Sequence, residues 1–250
     1  MDTAAYLRRI GYSGATTQNA DTLRALHRAH MRSVPFENLD IARGTPLVVD
    51  PEANVRKIVE LGRGGFCYEL NGAFAALLQA LGFNVTLLSA RVAREAGGFG
   101  PEFDHLTLRV DLDEPWLADV GFGDSFVEPL RLKPDLEQSQ DGRKFRIIED
   151  PEGLVLQKQE PGEDWKNEYL FSIAPRRIED FAEMCHYHQS SPQSSFTHKS
   201  VCTLATNDGR ITVANGKLII TKNGQREERA ISGEDEWKDL LCKHFGVVLS

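Results

Sequence analysis

Up to Leu81 the apolar positions of the chain return at helical spacing; beyond Phe83 they come in short runs of β-formers broken by Gly, Pro and Asp. Leu23, Leu26, His27 and His30 share one face behind Asp21, a candidate N-cap, and Pro51 leads a second helical stretch over 53–61. Between them Val34-Pro35-Phe36-Glu37-Asn38-Leu39 reads as a loop, because Pro35 has no amide proton to donate and pushes Val34 out of helical conformation. The breaker cluster Gly62-Arg63-Gly64-Gly65 then delivers a third helix, 66–81, with Leu70, Phe74, Leu77, Leu78 and Leu81 in register.

Strands are expected at 84–92, 105–112, 116–120, 145–148, 154–158 and 169–173, and a small antiparallel sheet or barrel is the way to bury them. The polar stretches 135–143 and 161–167 read as excursions from it. A short helix from Ile178 to about His188 leads into a Ser-rich loop, 189–197, then strands at 201–206, 209–214 and 217–221. A last amphipathic helix, 234–245, turns Trp237, Leu240 and Leu241 inward. The run 72–92 is too interrupted, by Gln79, Gly82 and Asn84, to cross a membrane.

Composition narrows the function classes. With 26% charged and 41% hydrophobic residues the chain is a folded one, and a net charge of −8 without a basic run argues against nucleic acid as a partner. The cysteines, at 67, 185, 202 and 242, form no C-x-x-C pair and read as free thiols of a reducing compartment. Met1-Asp2-Thr3 lacks the basic start of a secretory signal, so a cytoplasmic protein, monomer or homodimer, is expected.

A cysteine that opens a helix after a Gly-rich turn is placed to be a nucleophile, since the helix dipole and free amides favour thiolate and can hold an oxyanion. Cys67, after Arg63-Gly64-Gly65-Phe66, has that position. Most cysteines are inert core residues, but such a residue has no use for the preceding glycines. The base and its orienter are sought on separate strands. His105 opens one and Asp119 closes the next, and an Asp among apolar strand residues is costly to bury unless an imidazole or similar partner pairs with it. His27 and His30, one turn apart, and His186 and His188 beside Cys185 lack a third ligand, so no metal is expected. Gly121-Phe122-Gly123 and Gly97-Gly98 are weak as phosphate loops.

These residues resemble the arylamine N-acetyltransferase family. The resemblance lies in Arg9-Ile10-Gly11-Tyr12, Pro35-Phe36-Glu37-Asn38-Leu39, Arg63-Gly64-Gly65-Phe66-Cys67 with Glu69-Leu70-Asn71, His105-Leu106, Asp119-Val120-Gly121-Phe122-Gly123 and, more loosely, Ser191-Pro192-Gln193-Ser194-Ser195-Phe196. It implies an α+β fold with an N-terminal helical bundle (1–82), a central antiparallel β-barrel (83–178) and a C-terminal α/β lid (179–250) around a transglutaminase-like Cys-His-Asp core. It also implies acetyl transfer from acetyl-CoA, without metal, to the nitrogen of arylamines, arylhydrazines or arylhydroxylamines. Cys67 is then the nucleophile, His105 the base and Asp119 its orienter. Phe36, Phe122 and Phe196 are the substrate walls, Gly121 and Gly123 candidate coenzyme contacts, and Arg9, Glu37 and Arg63 a buried ion network. Two alternatives stay open at this stage: an amide synthase of the same family acting on a tethered polyketide chain, and a papain- or transglutaminase-like enzyme acting on amides.

Overall fold

The computed structural model describes residues 1–249. Five helices come first: α1 (Thr3–Arg9), α2 (Ala20–Ser33), α3 (Leu39–Ala42), α4 (Pro51–Val59) and α5 (Cys67–Ala80). Helix α2 begins earlier than its apolar spacing suggests. Its N-cap is Asn19, whose side chain accepts from the Thr22 N–H, while Asp21 sits in the first turn, where its charge complements the helix dipole. Asp50 caps α4 with Pro51 just inside, a position where the missing amide proton is not needed. Helix α5 is apolar nearly all round and runs through the core, which is why most of its residues are buried.

The expected loop after Val34 is instead a two-residue strand, β1 (Phe36–Glu37), followed by α3. Its ladder partner lies far along the chain, with Phe36 opposite Thr203 and Glu37 opposite Cys202, so no local pattern could announce it.

The strands β2 (Asn84–Val92), β3 (His105–Asp111), β4 (Pro115–Ala118), β5 (Leu130–Arg131), β6 (Gln138–Gln140), β7 (Arg143–Asp150), β8 (Gly153–Gln159) and β9 (Lys166–Phe171) form one antiparallel sheet in the order β5-β4-β3-β2-β9-β8-β7-β6. It curls into a nearly closed barrel around Leu88, Leu117, Phe126, Phe145, Ile147, Leu156, Tyr169 and Phe171. Its two edge strands meet through side chains. Gln138 accepts from the Arg131 N–H at 2.8 Å and donates back to the Arg131 carbonyl at 3.1 Å, and Gln140 accepts from the Val127 and Glu128 amides at 3.0 and 2.9 Å. Glutamine amides thus stand in for ladder bonds, and the polar excursion expected at 135–143 contains the strand that supplies them.

Beyond the barrel a 3-10 turn (Ile178–Phe181) leads into α6 (Ala182–Ser190), then β10 (Val201–Ala205), β11 (Gly209–Ala214), β12 (Lys217–Lys222), β13 (Gln225–Ala230) and α7 (Glu234–Phe245). The second sheet has the order β1-β10-β11-β12-β13, and α7 covers it with Leu240, Leu241 and Phe245 against Cys202, Val213 and Leu218. Strand β13 is exposed along its whole length and carries Arg226, Glu227, Glu228 and Arg229. It has no apolar alternation to announce it, and its charges are what keep an open sheet edge from pairing with another chain. The expected α+β architecture is therefore present. Among the described residues no helix is long and apolar enough to cross a membrane.

Candidate active site

Three segments meet at the N-terminus of α5. Cys67 is its first residue, and the turn before it passes so close to the Pro35 segment that a β-carbon at Gly64 would lie 2.0 Å from the Pro35 carbonyl oxygen. Glu69 reaches back to accept from the Phe66 N–H at 3.1 Å, which completes one half of a capping box; the Phe66 ring offers no acceptor for the other half. His105 opens β3, and Asp119 follows the last residue of β4. All three are buried, Cys67 to 4% exposure, His105 to 2% and Asp119 to 0%.

His105 Nε2 and Asp119 Oδ2 lie 2.6 Å apart. The other oxygen, Oδ1, accepts from Asn71 Nδ2 at 2.8 Å and from the Gly121 N–H at 3.0 Å. Burial works against the charge of Asp119, yet His105, Asn71 and Gly121 together hold its carboxyl below the usual carboxylate range. Asn71 ties the segments to one another, since it also donates to the Leu106 carbonyl at 2.6 Å and accepts from the Val120 N–H at 2.9 Å. The sequence points to Asn71 through its place one turn beyond Cys67 and within the block that carries the family resemblance, without assigning it a role.

With Nε2 engaged by Asp119, Nδ1 is the nitrogen His105 has left for a proton from a nucleophile. The Cys67 thiol faces the N–H of Leu106, the residue after His105. Burial pushes the thiol well above its ordinary value, and the Leu106 N–H opposes this. The helix start alone therefore does not make a thiolate. A base has to take the proton, because even a free thiol is only a few per cent ionised at neutral pH.

The three phenylalanines read from the sequence as walls are each partly exposed near this point. Phe122 packs edge-on against the His105 ring at 5.1 Å, and Phe196 lies 6.5 Å from Phe36 and 6.0 Å from Phe66 between ring centroids. Tyr169 of β9, which the sequence does not single out, supports His105 from the barrel side at 5.2 Å and Phe122 at 5.1 Å. Gly121 is packed against the backbone of Cys67, where a β-carbon would be 2.8 Å from Cys67 Cα and 2.9 Å from its carbonyl oxygen. Gly123 has φ +85°, and the nearest atoms to a β-carbon there belong to the Phe36 ring at 3.7 Å.

Below α5 lies a second polar cluster. Arg63 Nη2 meets Glu37 Oε1 at 2.8 Å and Asp40 Oδ1 at 2.9 Å, while Lys57 Nζ bridges Asp40 and Glu69 at 2.8 Å each. Arg9 does not join it, contrary to expectation. Its guanidinium donates to the carbonyls of Ser33 (2.6 Å), Ile58 (2.9 Å), Gly62 and Arg63 (both 3.2 Å), so it clips the C-terminal ends of α2 and α4 together and leaves the carboxylates to Lys57 and Arg63. His27 and His30 are not turned toward each other's partners as ligands would be: His27 bonds Val127 and Asp119, and His30 bonds Tyr6.

A helix-borne cysteine packed against a strand-borne His-Asp pair is the arrangement of cysteine enzymes that move acyl groups through a thioester. Comparison with known proteins narrows the class. The N-acetyltransferase family profile matches residues 19–250. Arylamine N-acetyltransferase of Escherichia coli is 35% identical over 97% of this chain and 87% of its own length. Proansamycin X synthase of Amycolatopsis mediterranei is 32% identical over 97% of this chain and 96% of its own. The structure of Mycobacterium marinum arylamine N-acetyltransferase in complex with CoA superposes with a TM-score of 0.92, at 32% identity, covering 98% of this chain and 93% of that one. The chain belongs to the arylamine N-acetyltransferase family and is an acyltransferase.

Proposed function

We propose that the protein transfers acetyl from acetyl-CoA to the nitrogen of arylamines, arylhydrazines or arylhydroxylamines in two half-reactions, with Cys67 as nucleophile, His105 as base and Asp119 as orienter. The observation that carries the reading is the 2.6 Å His105–Asp119 contact beside a thiol that faces the very next amide of the same strand. In the first half-reaction His105 Nδ1 takes the thiol proton, the sulfur forms a bond to the thioester carbonyl carbon, and the bond from that carbon to the coenzyme sulfur breaks, with the proton returning to the leaving thiolate. Sulfur replaces sulfur, so little bond energy changes. In the second, the amine nitrogen attacks acetyl-Cys67, the Cys67 thiolate leaves, and the amine proton passes to His105. Aryl nitrogens suit this step because they are largely unprotonated at neutral pH, and Phe36, Phe122 and Phe196 supply apolar walls for the ring. The coenzyme-bound Mycobacterium marinum relative supports acetyl-CoA as donor. The four unpaired cysteines, three of them buried, are in keeping with a cytoplasmic location.

Intact mass after mixing with acetyl-CoA alone tests the reading: a single acetyl group is expected on Cys67, with parallel lines in double-reciprocal plots when both substrates vary. An unmodified protein with intersecting lines sinks it. A second reading, an amide synthase acting on a tethered acyl chain, is favoured by the likeness to proansamycin X synthase. It calls for no acetyl adduct and for turnover of a long-chain acyl thioester instead.

A further inference from the structure

We infer that His27 is a positioning residue of the transfer reaction: a neutral imidazole that straps together both ends of the loop from Asp119 to Val127 and so sets the direction in which Asp119 meets His105. The inference rests on the reading of Cys67, His105 and Asp119 given above. His27 Nε2 lies 3.1 Å from the backbone nitrogen of Asp119, and His27 Nδ1 lies 2.9 Å from the carbonyl oxygen of Val127. A backbone N–H only donates and a carbonyl only accepts, so the pair of contacts dictates the tautomer: Nδ1 carries the proton and Nε2 is bare. An imidazolium would turn a donor onto the Asp119 N–H and break the strap.

The loop so held is the one that carries Phe122 and Gly123. At its start the amides have left the β4 ladder and are met one by one, Asp119 N–H by His27, Val120 N–H by Asn71 and Gly121 N–H by Asp119 itself. The bearing of the Asp119 backbone therefore depends on one side chain from α2 and one from α5. Packing fixes the His27 ring as firmly as its bonds do. It is fully buried, stacked on Phe126 at 5.6 Å and 22°, and met edge-on by Phe74 of α5 at 5.9 Å.

The groups facing it are Asp119 after β4, Glu128 just beyond Val127, which is itself paired with Arg28, and His30 one turn along α2, bonded to Tyr6 of α1. Burial outweighs the two carboxylates and lowers His27 to about 4, so the bare Nε2 persists through the physiological range.

The test compares His27→Phe, which keeps a flat ring but leaves both backbone groups unmet, with His27→Gln, which keeps one acceptor and one donor. Misdirecting Asp119 should lower kcat by about 10²-fold in His27→Phe, with partial recovery in His27→Gln. Two readouts go beyond stability. Alkylation of Cys67 by iodoacetamide, followed against pH, should fall in His27→Phe at neutral pH, and nitrogen-15 NMR of the wild-type ring should show the Nδ1–H tautomer from pH 5 to 8. An unchanged alkylation profile in a folded His27→Phe, or an Nε2–H tautomer in the wild type, overturns the proposal; should His27→Phe not fold, the tautomer decides. Alkylation and NMR use no acetyl donor, so absence of an acetyl adduct would remove the acetyl-transfer reading while leaving this one to stand or fall by itself.

Discussion

Asp119 and Glu69 are both buried carboxylates placed against the first turns of α5, and their proton affinities move in opposite directions. Burial disfavours charge on both. Asp119 is rescued by His105, Asn71 and the Gly121 N–H, so its carboxyl is held below the ordinary range. Glu69 has Lys57 and the Phe66 N–H, but Lys57 is shared with Asp40 and the Glu37 carboxylate lies close by; its carboxyl is pushed up to about 7. The difference teaches that proton affinity here follows the balance of burial and neighbouring acids against the donors within reach: Asp40, less deeply buried and met by both Lys57 and Arg63, is also held below the ordinary range although it shares both cations. One side of α5 is built to keep a charge beside an imidazole, the other to hold a helix end on a cation divided between two acids.

The sharpest way to break the comparison is Asp119→Asn. It leaves shape intact but removes the charge that, in the proposed mechanism, orients and stabilises the imidazolium, and kcat should fall by about 10³–10⁴-fold, measured by steady-state turnover with circular dichroism to establish the fold. A loss below tenfold would make Asp119 an ordinary buried acid like Glu69.

Stability against pH probes the other partner. A carboxyl whose folded value lies above its unfolded one adds stability at low pH and loses it as pH rises. In urea unfolding the stability of wild type relative to Glu69→Gln should therefore fall between about pH 4.5 and 7 and level off above, over a range of about 3 kcal/mol at most. Asp119 has the reverse sign, its contribution falling away as pH drops through the carboxylate range. A difference curve for Glu69 that rises with pH would show that Lys57 outweighs burial.

Gly121→Ala presses on the Asp119 side directly, because its β-carbon would lie 2.8 Å from Cys67 Cα. It should cost about 1–3 kcal/mol of stability and most of the activity, while Gly123→Ala, with room against Phe36, should cost less and only through its positive φ. Equal effects at the two glycines would remove the close-approach argument. The smallest effect is expected at the rim. Phe122→Ala should weaken capture of an arylhydrazine by about 0.5–1.5 kcal/mol and slow self-acetylation of Cys67 less; equal losses in single-turnover acetylation and deacetylation would make Phe122 a support for His105 only.

Much of this was legible from residue order alone. The helical period of Leu70, Phe74, Leu77 and Leu78 marked α5, the breaker cluster marked its start, and the run of β-formers over 84–92 marked β2 to the residue, because spacing and turn chemistry are properties of neighbours along the chain. Cys67, His105 and Asp119 stood out for the same reason: each is chemically out of place in its own segment. What tertiary structure alone decided is which atoms meet. The pairing of β1 with β10, the closure of the barrel through Gln138 and Gln140, the departure of Arg9 from the ion cluster and the strap of His27 across Asp119 and Val127 all join residues far apart in sequence. Their physical cause is that a buried polar group must find a partner wherever the fold brings one within reach, and the chain order carries no mark of that distance.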